Sequence, residues 1–429
     1  METVLQLINR DQDWRQALIH LWHLGRQSHP EGGTRFHLWN SAAENQVASE
    51  RIKKFFAGHT NHPSLRLDDL QHRTTDVIRA LDLRLNEGEK RSPSQLPVLI
   101  DGCAYRLLPC RSHNGYEQTQ QPRFANFMRH HRIIPTDIAL TSGSQVKVRI
   151  IDSASFGSLH RQLKEHAEQD SGINCAVGLF ADGGEPQGST VATSKTHGKC
   201  FFTHTTTDST RLASALRQID TANAAEATVL VFPELTLSLA NQASLLRELR
   251  QRWRTEERLR IPLLLLGSFH QDAPPKRNQA HLICGPNLSE IAIHNKFSQA
   301  TRGPVTEDFH PGNEVVLFST PLGNISLAIC KDSFDEFHPL WLDHLAPNLL
   351  LVPSLSDKVT AHLRKTQELW NRHRCITVVA NQPWSSGQQS APPDEADPYF
   401  GFIHADQVHV RDDRPHWQQT IRQAPETEN

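Results

Sequence analysis

The sequence has almost no excess of either charge: 45 Lys and Arg face 47 Asp and Glu, a formal net charge of -2 over 429 residues. Such a balance supplies no long-range attraction to a polyanion, which argues against binding to nucleic acid or anionic membrane driven by overall charge. Cysteine is sparse and unpatterned. The seven positions (103, 110, 175, 200, 284, 330 and 375) contain no C-x-x-C spacing, and an odd number of thiols fits a reducing compartment better than a disulfide framework. Long apolar runs are missing too; Leu263 to Leu266 is among the longest and is far too short to span a bilayer. The opening Met-Glu-Thr-Val lacks the basic flank and apolar core of a secretory signal, so a soluble, cytoplasmic protein with no membrane partner is expected. Histidine is plentiful, at 25 residues, but there is no H-E-x-x-H and no Cys/His cluster at zinc-finger spacing. Pairs such as His20 with His23 or His130 with His131 therefore read as core or solvated residues, and neither metal nor cofactor is expected.

What is present suggests two or three domains, given the usual domain size. Over residues 1 to about 90, Val4, Leu5, Ile8, Trp14, Leu18, Leu21 and Trp22 recur at helical spacing, as do Leu65, Leu67, Leu70, Val77, Ile78, Leu81 and Leu85. Strand patterns follow at Val98–Ile100, Tyr105–Leu108 and Val146–Ile151. The basic cluster Met128–Arg132 has no interleaved aromatics on which bases could stack, so direct nucleic-acid binding is not expected. Residues 1–165 carry no recognisable chemistry and read as a mainly helical α+β accessory region. Residues 166–415 read as a second domain and residues 416–429 as a polar tail. Within that domain Gly183 to Gly198, rich in Gly, Ser and Thr, is expected to form a mobile loop. The rest alternates: helix Thr210–Ala222, strand Thr228–Phe232, helix Ala240–Arg258, strands Ile261–Phe269, His281–Cys284 and Ile291–Ile293, then a hairpin joining Val315–Phe318 to Ile325–Ile329. Strand Leu349–Val352, helix Ala361–His373 and strand Ile376–Ala380 complete a layered α/β domain with helices over sheet.

Three chemically capable residues stand just beyond apolar strands: Glu234 after Val229–Pro233, Lys296 after Ile291–Ile293, and Cys330 after Ile325–Ile329. Layered α/β folds place sites at strand ends. In the last strand Ile325, Leu327 and Ile329 share one face, while small Ser326, Ala328 and Cys330 share the other, which leaves room beside the thiol. Taken singly, each residue has a bland reading: a core cysteine, a helix-terminal carboxylate, a surface lysine.

In combination, Val-Phe-Pro-Glu (231–234), His294-Asn295-Lys296 and Ile329-Cys330-Lys331-Asp332 resemble the glutamate, lysine and cysteine motifs of the nitrilase, or carbon-nitrogen hydrolase, superfamily. Flanking segments agree in order: Gly267-Ser268, Asn278-Gln279-Ala280, Glu307, Phe309-His310-Pro311-Gly312, Leu351-Val352-Pro353-Ser354, Val379-Ala380-Asn381 and Gly401-Phe402-Ile403. The resemblance covers about residues 172–415. It implies an α-β-β-α sandwich and a catalytic Glu234/Lys296/Cys330 triad acting on a small-molecule amide or nitrile through a thioester. It also implies a supporting role for Glu307, beside the lysine, and a homo-oligomer. A thiol needs a nearby base or cation, either to lower its pKa or to take its proton; Glu234 and Lys296 are of the right types, and a depressed Cys330 pKa is expected. Two positions depart from the usual pattern: Lys331 replaces an aromatic residue after the nucleophile, and Phe334-Asp335-Glu336-Phe337 replaces Phe-Pro-Glu. A second cation at Lys331 would favour an acidic substrate if it faces the pocket, and Asp332 reads as either a pocket residue or a cap for the next helix. The alternative expectation is a nitrilase-like interaction subunit, with a protein partner held through residues 1–165. One version of it is a bacterial reverse-transcriptase-associated antiviral complex.

Overall fold

In the computed structural model the described residues are 2–7, 13–28, 78, 81, 85, 97–109, 131–139, 145–168, 173–178, 180, 189–194, 198–203, 209–252, 259–302, 305–334, 340–356, 359–373, 375–382, 401–404, 408–410 and 419–423. The chain divides into two compact units, Met1–Asp137 with Asp343–Ala346, and Ile138–Leu342 with Pro347–Asn429.

The first unit contains helices Glu2–Gln6 and Trp14–Ser28 and an antiparallel sheet of Val98–Ile100, Cys103–Pro109 and His131–Pro135. The helical spacing read from the sequence gives its core: Val4, Leu18, Leu21 and Trp22 pack with Ile78, Leu81, Leu85, Ile100, Leu107 and Ile133. Residues 65–77 of the second apolar stripe lie outside the described residues. Buried His23 is satisfied through Nδ1 by the Tyr105 hydroxyl at 2.6 Å, as expected of a core histidine.

Two seven-stranded sheets form the second unit. One runs in the order Ser289–Asn295, Arg277–Cys284, Leu263–Gln271, Val229–Val231, Cys175–Val177, Gln419–Gln423, Val408–Val410. The other runs Gly401–His404, Ile376–Gln382, Leu349–Leu355, Gly323–Leu327, Glu314–Thr320, Gln145–Asp152, Asp137–Ala139. Strand alternation settles how the layers stack. Val229, Val231, Leu263 and Leu265 of the first sheet share a core with Val316, Phe318, Ile325, Leu327, Leu349 and Leu351 of the second. Their neighbours Leu230, Phe232, Leu264 and Leu266 face outward onto Ala215, Ile219 and Ala222 of helix Ser209–Ala224 and Leu245 and Leu249 of helix Leu239–Arg252. Helix Val359–His373 packs against strand Ile376–Gln382 of the second sheet. The architecture is a four-layer α-β-β-α sandwich.

Three expectations need correction. The accessory region ends near residue 138, not 165: strand Gln145–Asp152 pairs in parallel with Glu314–Thr320, because its alternation of exposed Lys147 and Arg149 with buried Val146 and Val148 suits the flank of this sheet. Residues 416–429 are not simply a tail, since Gln419–Gln423 pairs antiparallel with Cys175–Val177. The expected loop 183–198 contains strand Ser189–Ser194, which forms a hairpin with Gly198–Thr203; its β-branched Thr190, Val191 and Thr193 favour extended backbone over the loop that composition suggested. Among the described residues no helix is long and apolar enough to cross a membrane.

Candidate active site

Strand Val229–Val231 ends one sheet's contribution and strand Gly323–Leu327 the other's, and the chain beyond each enters the same buried region. Glu234 is fixed to both sheets by its backbone: it makes a parallel bridge with Ser268, and its N–H donates to the Ser354 carbonyl at 3.3 Å. The crossing is tight. At Gly267, where φ is +77°, a Cβ would collide with the Pro233 carbonyl, so glycine is required beside the segment that delivers Glu234.

Lys296 lies at the centre, only 1% exposed. Its Nζ donates to Glu234 Oε1 at 2.7 Å and to Glu307 Oε2 at 2.7 Å. Asn278 joins the carboxylates from the neighbouring strand, donating through Nδ2 to Glu234 Oε1 at 2.9 Å and Glu307 Oε1 at 2.7 Å. Glu307 also accepts from the Ala300 N–H at 3.0 Å, and its Oε1 lies 2.8 Å from His270 Nε2. The remaining oxygen of Glu234, Oε2, accepts from the Leu355 N–H at 3.1 Å, while the Leu355 carbonyl lies 3.8 Å from Cys330 Sγ. One residue's peptide groups thus bracket the base and the thiol.

Cys330 opens a short 3-10 turn, Cys330–Ser333, with φ of +47°, a left-handed conformation that a non-glycine residue adopts only under strain. Asp332 explains how the turn is held. Its Oδ1 accepts from the N–H groups of Phe297 at 3.0 Å and Ser298 at 2.8 Å, and its Oδ2 accepts from the Ile329 N–H at 3.3 Å. Wholly buried Asp332 therefore ties the segment after Lys296 to the cysteine turn. Half-buried Lys331 donates through Nζ to the Gln299 carbonyl at 3.2 Å, on that same segment.

Electrostatics divides the two glutamates. Burial, reinforced by the charge of Glu307, pushes the Glu234 carboxyl above its ordinary pKa against the pull of Lys296 and Asn278. Glu307 is also buried, but Lys296 and the His270 hydrogen bond hold it well below the usual carboxylate range. Burial works against the charge of Lys296, yet the two carboxylates raise its pKa well above the ordinary value, so it is a permanent cation. The expectation that its neighbours would lower the Cys330 pKa is not met: burial and the Glu234 charge push the thiol up to about 12, outweighing Lys296, Ser354 and Leu355. At rest Cys330 is a neutral thiol beside a carboxylate able to take its proton.

All six residues singled out in the sequence thus belong to one unit, with Glu234, Lys296 and Glu307 in direct contact and Asp332 tying the cysteine turn to the lysine segment. Sequence reasoning missed His270, Ser333 and His362 and assigned no role to Asn278 or Ser354. Asn278 and Ser354 lay within recognised segments, whereas His362 is one of many histidines and sits on a helix without a motif. Among the described residues no group of three or more His, Cys, Asp or Glu is placed to hold a metal ion.

Fold and site define a class: a four-layer α/β sandwich with a Glu–Lys–Cys group buried where strands of its two sheets end. No protein-family model matches the sequence, and no curated protein matches it. Among solved structures the chain is similar to an amidase from Nesterenkonia sp., with 17% identity over 50% of this chain and 77% of that one and a TM-score of 0.36. It is similar to glutamine-dependent NAD+ synthetase from Acinetobacter baumannii, with 15% identity over 49% of this chain and 38% of that one and a TM-score of 0.37. It is also similar to Saccharomyces cerevisiae Nit3, a member of branch 10 of the nitrilase superfamily, with 14% identity over 55% of this chain and 83% of that one and a TM-score of 0.37. Scores of this size leave the chemistry to be read from the residues themselves.

Proposed function

We propose that the chain is a carbon-nitrogen hydrolase of the amidase type that opens a small amide, or a related nitrile, through a thioester on Cys330. The observation that carries this reading is the shared geometry around Leu355, whose N–H holds Glu234 Oε2 and whose carbonyl faces the thiol, with Lys296 bonded to the other oxygen of that carboxylate, Oε1, at 2.7 Å. For an amide, Glu234 takes the Sγ proton as Sγ bonds to the carbonyl carbon. Negative charge moves to the carbonyl oxygen, where Lys296 Nζ and the backbone N–H of Lys331 are the groups assigned to stabilise it. Protonated Glu234 then gives its proton to the departing nitrogen as the C–N bond breaks, releasing ammonia or an amine. Water attacks the thioester with Glu234 again as base, and the carboxylic acid leaves as the thiol is restored. Because the thiol has a raised pKa, the base is indispensable. Glu307 acts through Lys296, keeping it charged and in place.

Ammonia release measured across a panel of amides, ureas, nitriles and glutamine, with the Cys330→Ala protein as the blank, tests the proposal. Release above that blank for at least one compound supports it. No release for any compound contradicts it.

A further inference from the structure

Behind the thiol lies a buried polar chain that the reaction above does not use. His362, on helix Val359–His373, is 1% exposed, and both its ring nitrogens meet serine hydroxyls: Nδ1 with Ser333 Oγ at 3.1 Å and Nε2 with Ser354 Oγ at 3.0 Å. Both serines are tied to the site. Ser333 Oγ donates to the Cys330 carbonyl at 2.8 Å, and the Ser354 carbonyl accepts from the Glu234 N–H at 3.3 Å. Proton counting fixes the tautomer. Ser333 spends its one hydroxyl proton on Cys330, so His362 must donate to it through Nδ1–H, which leaves Nε2 as an acceptor for the Ser354 hydroxyl. The edge of the Phe334 ring pair, with centroids 4.6 Å apart and planes at 80°, fixes the imidazole plane.

We infer that His362 is a positioning residue, a neutral clamp that ties the Cys330 turn, through Ser333, to Ser354, whose carbonyl holds the Glu234 backbone. This rests on the reading of Cys330 as the nucleophile. The clamp answers a physical need: Cys330 sits at a φ of +47°, and a strained conformation persists only where its surroundings over-determine it. Burial lowers the His362 pKa to about 3, which makes the ring a weak base and keeps it uncharged near neutral pH. Glu234 therefore remains the proton acceptor, and His362, by fixing the Cys330 turn, determines where the sulfur is when the proton leaves.

The test is the rate of Cys330 alkylation by iodoacetamide at neutral pH, followed by peptide mass spectrometry on the full chain. His362→Leu is expected to slow alkylation by roughly tenfold, as misplacing a reacting group does. Ser354→Ala should do the same, and the double variant should be no slower than Ser354→Ala alone, because the two act in one chain. His362→Gln should return to within about threefold of the parent, since its amide both donates and accepts. A packing role would predict additive losses and no rescue by Gln. If His362→Leu does not fold, Ser354→Ala and His362→Gln carry the comparison, and a Gln variant as slow as Ser354→Ala overturns the clamp. A parent rate no faster than that of Glu234→Gln would overturn the nucleophile reading and this one with it. A Glu234-dependent parent with an unaffected His362→Leu overturns the role of His362 alone.

Discussion

Oε1 of Glu234 lies 2.7 Å from Nζ of Lys296, across 62 residues of sequence and with both side chains almost wholly buried. This contact does not neutralise the site, because Glu307 claims the same ammonium at the same distance. Two carboxylates and one cation leave a negative charge in excess, and Glu234 is the group whose pKa rises, chiefly through burial and then through the charge of Glu307.

The sign of a stability effect follows. A carboxyl whose folded pKa is raised favours folding when protonated, and that contribution is lost as pH rises through the raised pKa. Glu234→Gln should therefore abolish ammonia release yet raise the Tm near neutral pH, an advantage that shrinks as pH falls below the raised pKa. Thermal melts of parent and variant between pH 4 and 8 check this, and the acid limb of the activity profile should likewise lie above the ordinary carboxylate range, roughly 4.

Glu307 should behave oppositely. Its folded pKa is depressed, so its contribution is present above its unfolded value and disappears as pH falls toward the folded one. Glu307→Gln is expected to destabilise the protein by about 3 kcal/mol at pH 7, as breaking a buried pair does, with the deficit narrowing in acid. Denaturant unfolding at pH 7 and below pH 4 measures both.

At Cys330 the usual order of glycine and alanine should reverse. A positive φ penalises any Cβ, so Cys330→Gly should be more stable than Cys330→Ala by about 1 kcal/mol, whereas glycine is ordinarily the weaker choice. Both variants should be inactive, and equilibrium unfolding distinguishes them.

Asp332→Ala removes the acceptor of three backbone N–H groups, those of Ile329, Phe297 and Ser298. Leaving buried donors unmatched costs about 1–3 kcal/mol each before relaxation, so a loss of roughly 3 kcal/mol in unfolding free energy is expected. Alkylation of Cys330 should slow as well, since the turn is no longer tied to the lysine segment. Lys331→Ala, which forfeits the partly exposed bond to the Gln299 carbonyl, should lose under about 1 kcal/mol from that contact.

The strands that end at Glu234, Lys296 and Cys330 were legible because alternation and apolar runs are local properties, and these three residues stand where those runs stop. Their meeting was legible only through motif resemblance, since Glu234 and Lys296 come together across strands of one sheet and Cys330 reaches them from the other, and none of this is set by spacing. Asp332 was ambiguous for a similar reason: cap and tether look alike until the Phe297 and Ser298 amides are placed beside it. The strand Gln145–Asp152 was visible, but its assignment to the sandwich was hidden, because pairing with Glu314–Thr320 joins segments far apart in sequence. The thiol pKa was misjudged in direction, since burial and the proximity of Glu234 outweigh a cation that two carboxylates already share. His362 had no local signal at all.

The most direct test of the central claim is the intact mass of the protein during turnover of a slowly deacylated amide. A thioester reading predicts a mass increase equal to the acyl group less the hydrogen it replaces, mapped to the peptide carrying Cys330, absent in Cys330→Ala and lost again as product forms. Ammonia release without any such adduct, or release that persists in Cys330→Ala, would contradict it.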